Sequence, residues 1–288
     1  MTPPRDAEDT ASQFNRLHAF RHFAEFGGRT ESQAQIKPLH EYVTCRLVLE
    51  GGFHPDELNP RPPLRAEKAR GRHRLVHDPK ATSVTEATIL GGLKTKKVDI
   101  VAVKEGIGPV LAVSCKGMTG AVRNLTNRLE EAIGECTNIH IAYPTLVFGY
   151  LFLIRANREG DQVARTDVVL DRHGQPVEGV VRFHQALSAM TGRLGLRNDG
   201  SRYEAITMSL IEVSPDRVGE LTPDFPPGNS QIHFDQFFET MYRRYDERYV
   251  VSAPTLAKTT RRLEWSPDSP AFEAPPFRAL DYDLRIRA

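Results

Sequence analysis

Asp99 stands inside an apolar, β-branched run, Val98-Asp99-Ile100-Val101-Ala102-Val103, and Lys116 closes the next such run, Leu111-Ala112-Val113-Ser114-Cys115-Lys116. Neighbouring strands can bring the two residues side by side at one end of a sheet. A helix carrying Glu130 and Glu131 follows. A carboxylate, a lysine and a second carboxylate form the minimum kit for metal-assisted phosphodiester hydrolysis. A divalent metal on oxygen ligands activates the attacking water and offsets charge in the transition state. Magnesium (Mg2+) takes only one or two carboxylates from a protein and keeps several waters. Asp99 and one helical glutamate would suffice, with Lys116 orienting or deprotonating the water.

Ser114 and Lys116 are two apart and share a strand face, while Cys115 points to the other. The acid of the usual acid–x–lysine pair is therefore a serine here, and a glutamate from the following helix can fill the vacancy. Glu130 and Glu131 flank the apolar stripe of that helix on opposite sides, each roughly 120–140° from its centre at about 100° per residue. Periodicity does not choose between them. Arg123, Asn124 and Asn127 lie on the same polar half. Such a face can contact a phosphate backbone or a base edge, or simply be solvated.

The elements that must position these groups follow from pattern. Gln13–Phe26 has a helical period in Phe14, Leu17, Phe20 and Phe23. His18 and His22 on it have metal-ligand spacing but no nearby third ligand, which favours a surface or packing role. Pro38–Glu50 is a second helix, with Gly51-Gly52 as its stop and Glu41 off its buried stripe. The Pro- and Arg-rich stretch His54–Arg74 predicts a loop or mobile segment. Strands are expected over Thr82–Leu90, Lys97–Val103, Val110–Ser114 and Val147–Arg155, with a helix over Ala121–Cys136 before the last. The first three strands suit an antiparallel meander, and the helix suits a parallel crossover. Beyond these come a helix over Val180–Met190, a strand over Ala205–Val213, a helix over Phe234–Arg248 and a Pro-rich end that wraps the surface. The organisation expected is an arm and helix over 1–30, a core over 31–156 and a C-terminal elaboration over 157–288 on the same domain.

Composition sets the class. The chain has 288 residues, 40% hydrophobic and 26% charged, which suits a globular α/β protein. Its longest apolar run, Leu146–Ile154, is about half of what a membrane helix needs, so no membrane is expected. Three cysteines without C-x-x-C spacing, and no apolar leader, fit reduced thiols and a cytoplasmic location. Net charge is +1, yet Arg61–Arg128 holds 14 Lys/Arg against 5 Asp/Glu, a local excess of 9. A basic segment around the candidate site points to an anionic partner, most simply nucleic acid. Gly91-Gly92-Leu93-Lys94-Thr95-Lys96-Lys97 reads as a basic approach loop, and Lys94, Lys96, Lys97, Arg123 and Arg128 as candidate phosphate contacts. No G-x-G-x-x-G, Walker-type loop or G-x-S-x-G elbow is present, so no nucleotide cofactor is expected.

The order helix, three strands, helix, strand, with Asp99 on the second strand and Ser114-Cys115-Lys116 ending the third, resembles the PD-(D/E)XK nuclease superfamily over roughly Pro38–Arg155. Val98 stands where that motif has proline, and Ser114 where it has an acid. One restriction-endonuclease branch carries Ser-x-Lys and then a glutamate about fourteen residues beyond the lysine, which here is Glu130 rather than Glu131. The resemblance implies a restriction-endonuclease-like αβββαβ core, a mixed central sheet flanked by helices, and a C-terminal elaboration. It implies metal ligands Asp99, Glu130 and the Cys115 carbonyl, and support from Glu41 on the first helix. The activity implied is a type II restriction-type, magnesium-dependent endonuclease acting on double-stranded DNA as a homodimer. Ser114 would position the site through its hydroxyl.

A competing reading keeps the fold without the catalysis: an inactive DNA-binding or assembly subunit. A third is an unrelated small-molecule enzyme.

Overall fold

The computed structural model describes residues 13–27, 33–69, 71–83, 87–120, 122–197 and 199–287. The expected N-terminal arm, Met1–Asp9, and Val84–Glu86 of the first expected strand lie outside them. In chain order the elements are α1 (Arg16–Glu25), α2 (Lys37–Leu49), β1 (Leu58–Asn59), β2 (Leu64–Ala69), β3 (Arg72–His77), β4 (Ala87–Ile89), β5 (Lys96–Val98), β6 (Ile100–Lys104), β7 (Gly108–Met118), α3 (Leu125–Ala142), β8 (Val147–Arg155), α4 (Glu178–Ala189), β9 (Ala205–Ile211) and α5 (Phe234–Asp246).

Five strands form a mixed central sheet in the order β1-β6-β7-β8-β9. β1, β6 and β7 run antiparallel, whereas β7, β8 and β9 are parallel and joined through α3 and α4. Parallel strands need such crossovers, and helices on both faces account for the apolar run of β8. One face, with Val113, Cys115, Leu151 and Leu153, packs against Phe23, Leu39, Val43, Phe237 and Met241 of α1, α2 and α5. The other face, with Ala112, Phe148, Tyr150 and Ile206, packs against Leu125, Ala132, Ile139, Val180 and Phe183 of α3 and α4. The chain is thus α/β, with helices on both sides of the sheet. Residues after 157 share both cores: β9 is a strand of the central sheet, and buried Trp265 donates through Nε1 to the Val48 carbonyl, 2.7 Å away. Cys45, Cys115 and Cys136 are free and buried.

Four expectations about local structure need correction, the first being the Ala121–Cys136 helix, which is found at Leu125–Ala142. The Thr82–Leu90 strand does not join the central sheet: Ala87–Ile89 pairs with β5 in a hairpin of its own. The expected Lys97–Val103 strand is two strands broken at Asp99, because the chain leaves that hairpin there and enters the sheet as β6. The described residues of the His54–Arg74 stretch are not a loop: Leu58-Asn59 forms the sheet edge, and β2 with β3 makes an antiparallel hairpin of six residue pairs. Its alternation is masked by charge. Leu64 and Leu75 turn inward while Arg65, Glu67 and Asp78 form ion pairs on the outside.

No helix among the described residues is long and apolar enough to cross a membrane.

Candidate functional site

The site begins where β6 stops. The β6–β7 ladder ends at Ile100 opposite Val113, but β7 continues to Met118, paired only with β8 from Ser114 opposite Tyr150 onward. This leaves the β6 side of Ser114–Met118 without a strand partner. Asp99, just before β6, fills that gap: its Oδ2 accepts from the Cys115 backbone N–H at 2.7 Å. A strand residue's N–H and C=O lie on the same edge. The Cys115 carbonyl therefore faces the side that holds Asp99, while its thiol is buried in the core beneath.

Ser114 and Lys116 share the opposite face of β7, as their spacing predicts. Lys116 Nζ donates to Asp99 Oδ2 at 3.3 Å, and Ser114 Oγ lies 3.3 Å from the same oxygen. The second carboxylate is Glu135 of α3: its Oε2 lies 3.1 Å from Ser114 Oγ, and its Oε1 lies 3.5 Å from Lys96 Nζ. Asp99 and Glu135 are both buried, and so is Ser114. The resemblance-based choice, Glu130, is exposed on α3, and Glu131 is exposed and paired with Arg128 at 2.6 Å. Glu135 lies five residues past Glu130, about 7.5 Å further along the helix axis.

Burial pushes the Glu135 carboxyl above its ordinary value, against the pull of the Lys116 and Lys96 charges. For Lys116, burial acts downward, but Asp99 and Glu135 outweigh it and hold the ammonium well above the usual lysine value. The two carboxylates therefore favour the charged form of Lys116.

The donor set suits one hard cation. Glu135 Oε1 is buried, and among the described residues its partner is the Lys96 ammonium at 3.5 Å, an ion pair without hydrogen-bond geometry. Among the described residues no three His, Cys, Asp or Glu side chains converge as a metal-binding set. Two carboxylates and a carbonyl nevertheless fall within what magnesium takes from a protein. Asp99, Glu135 and the Cys115 carbonyl are the residues that would hold it.

Glu41 is not in contact with this cluster. It lines a cleft of about 310 Å3 between α2 (Lys37, His40, Glu41, Thr44), the Pro60–Pro63 segment and Thr82-Ser83. β1 pairs antiparallel with β6, Asn59 opposite Val101, so Pro60–Pro63 leave the sheet at the end where Asp99 enters it. Gln35, just before α2, donates to the Gly117 carbonyl next to Lys116 at 3.4 Å, tying the cleft wall to β7. Burial raises the Glu41 carboxyl above its ordinary value, offset in part by Lys37, His18 and His22.

The basic loop is anchored to the same helix. Asn138 Oδ1 accepts from the Leu93 and Lys94 N–H groups at 2.8 and 3.1 Å, and its Nδ2 donates to the Lys94 carbonyl at 3.0 Å. A Cβ on Gly91 would sit 2.1 Å from Asn138 Nδ2, so only glycine allows this approach. Lys94 and Lys97 are exposed and Lys96 turns in to Glu135; Arg123, Asn124, Asn127 and Arg128 are exposed around the start of α3.

No known family pattern, no curated protein and no solved structure matches this chain.

Proposed function

We propose that the protein is a magnesium-dependent DNA endonuclease of the restriction type, built on a PD-(D/E)XK-like core in which Glu135 replaces the acid lost at Ser114. The observation that carries this reading is the cluster itself: Asp99, Ser114, Lys116 and Glu135 meet at the point where β7 outruns β6. Bound magnesium would supply Lewis-acid activation of water and charge neutralisation at the phosphate. The chain supplies the rest. Asp99 and Glu135 present oxygen ligands, Lys116 keeps a positive charge beside the scissile phosphate, and Ser114 fixes the spacing of the two carboxylates. Lys94, Lys97, Arg123 and Arg128 contact the phosphate backbone, and Asn124 and Asn127 face the grooves. Glu41, across the cleft, faces the incoming duplex. Cutting both strands calls for a two-fold homodimer.

The competing reading is a catalytically silent DNA-binding subunit. One observation favours it: Asp99 Oδ2 accepts from the Cys115 N–H and lies 3.3 Å from both Ser114 Oγ and Lys116 Nζ, so groups of the chain itself engage this oxygen. Supercoiled plasmid incubated with the protein, with magnesium or with EDTA, separates the two. The nuclease nicks or linearises plasmid only with magnesium, and Lys116→Ala abolishes it. Duplex binding without cleavage on any DNA, methylated or not, would leave the silent subunit standing.

A further inference from the structure

A second cavity, also about 310 Å3, lies at the far end of the β2–β3 hairpin from the cleft. Pro62 and Pro63 at the base of the hairpin line the cleft, whereas Gly71 and Arg72 at its tip line this groove. Two strands of six residues set the two sites about 20 Å apart. The rest of the groove comes from the 258–266 segment and the end of the chain: Lys258, Arg261, Arg262, Arg285 and Arg287, with Glu264 as the sole acid in the lining. Arg262 is paired with Asp246 at 2.8 Å. The other five cations, Arg72 included, form no ion pair among the described residues. Arg285 Nε is buried without a hydrogen-bond partner. Burial and the neighbouring Arg262 charge push its guanidinium below the ordinary arginine value.

Five cations that form no ion pair among the described residues, with Glu264 as the one acid lining the groove, repel one another and favour an anion between them. A single phosphate carries at most about two negative charges, too few to balance them. A duplex supplies one charge for about every 1.7 Å of its axis. We propose that the Arg72–Arg261–Arg287 groove binds the phosphate backbone of duplex DNA, as a contact remote from the Asp99–Glu135 site. The choice of DNA as the polyanion rests on the nuclease reading; the need for a polyanion does not.

The test is binding of a labelled short duplex in EDTA, followed by fluorescence anisotropy across a salt series. Arg72→Ala/Arg261→Ala/Arg287→Ala removes three exposed cations and leaves the cores untouched. It should weaken binding by at least about tenfold and lower the slope of log affinity against log salt by about three. A control with the same charge loss on another surface, Arg172→Ala/Arg182→Ala/Arg197→Ala, should change affinity by less than about twofold. Equal effects of the two triples would reduce the groove to net charge and overturn the proposal. So would a wild-type protein that fails to bind the duplex but melts higher with pyrophosphate, a gain lost in the first triple: that marks a small-anion site. Groove-dependent duplex binding in a protein that never cuts plasmid would sustain this proposal and sink the nuclease reading alone.

Discussion

Ser114 Oγ lies 3.1 Å from Glu135 Oε2, and the same hydroxyl reaches Asp99 Oδ2 at 3.3 Å. A hydroxyl has one proton to give. That one proton can serve only one carboxylate at a time, so the serine sits between two acids as a single-proton bridge. The serine thus has a physical reason to replace an acid: a carboxylate at 114 would face two others within hydrogen-bond distance.

Substitutions at Ser114 should therefore rank in an unusual order. Ser114→Ala leaves the carboxylates unbridged and should cost about 1–3 kcal/mol. Ser114→Asp restores the common acid-x-lysine pattern but crowds three carboxylates, so in EDTA it should melt below Ser114→Ala. Magnesium should recover more of the loss in Ser114→Asp than in Ser114→Ala. Thermal melts with and without magnesium check this, and a Ser114→Asp protein as stable as wild type in EDTA would contradict it.

In the proposed nuclease Lys116 acts through its charge, which Asp99 and Glu135 favour. A group whose value is raised in the fold keeps its charge through the ordinary lysine range and loses it only above that range. The pH–rate profile of plasmid cleavage should then show no lysine-range limb. Lys116→Met should lower kcat by about 10²–10⁴-fold at every pH, with little change in profile shape. A rate that rises as Lys116 loses its proton would restore it as the base.

Away from the site, Glu204 tests the buried electrostatics. Its Oε1 takes Arg193 Nη1 at 2.8 Å and Arg248 Nη2 at 2.6 Å, and its Oε2 accepts from the Phe148 N–H at 2.7 Å. Burial pushes this acid up, but the His140 and Arg248 charges and the Phe148 N–H outweigh it, and the net direction is down. His140 Nε2 lies 3.6 Å from Glu204 Oε2, beyond hydrogen-bond distance. A depressed carboxylate contributes stability that is complete above its ordinary value and lost as pH falls through the lowered one. Glu204→Gln leaves Arg193, 1% exposed, with an uncompensated charge. It should cost about 3–5 kcal/mol at neutral pH. The gap between the two melting curves should close on acidification below the ordinary glutamate range. A gap independent of pH would contradict the pairing.

How far the sequence led can be followed residue by residue. β8 is found at the bounds its apolar run marks, Val147–Arg155, because a strand buried on both faces writes itself as unbroken hydrophobicity. Asp99, Ser114 and Lys116 converge as their strand spacing implies. Glu135 lies inside the expected helix, Ala121–Cys136, but the Ser-x-Lys offset points to Glu130 instead. Ile133 is 39% exposed, and α3 runs on to Ala142, six residues past the expected end at Cys136. The buried seam is Leu125, Ala132, Cys136 and Ile139, and Glu135 falls three after Ala132 and four before Ile139. An acid in that seam was the readable signal. The β2–β3 hairpin was lost for a different reason: its outward face is paired charge, so the sequence shows Arg and Glu where the ladder shows register.

The account turns on Asp99 and Glu135 holding one divalent ion beside Lys116, and calorimetric titration of manganese into the metal-free protein tests it most directly. Wild type and Glu130→Gln should bind one ion with the same affinity, whereas Glu135→Gln and Asp99→Asn should lose at least about tenfold while remaining folded by circular dichroism. Unchanged binding in Glu135→Gln, or loss confined to Glu130→Gln, would contradict it.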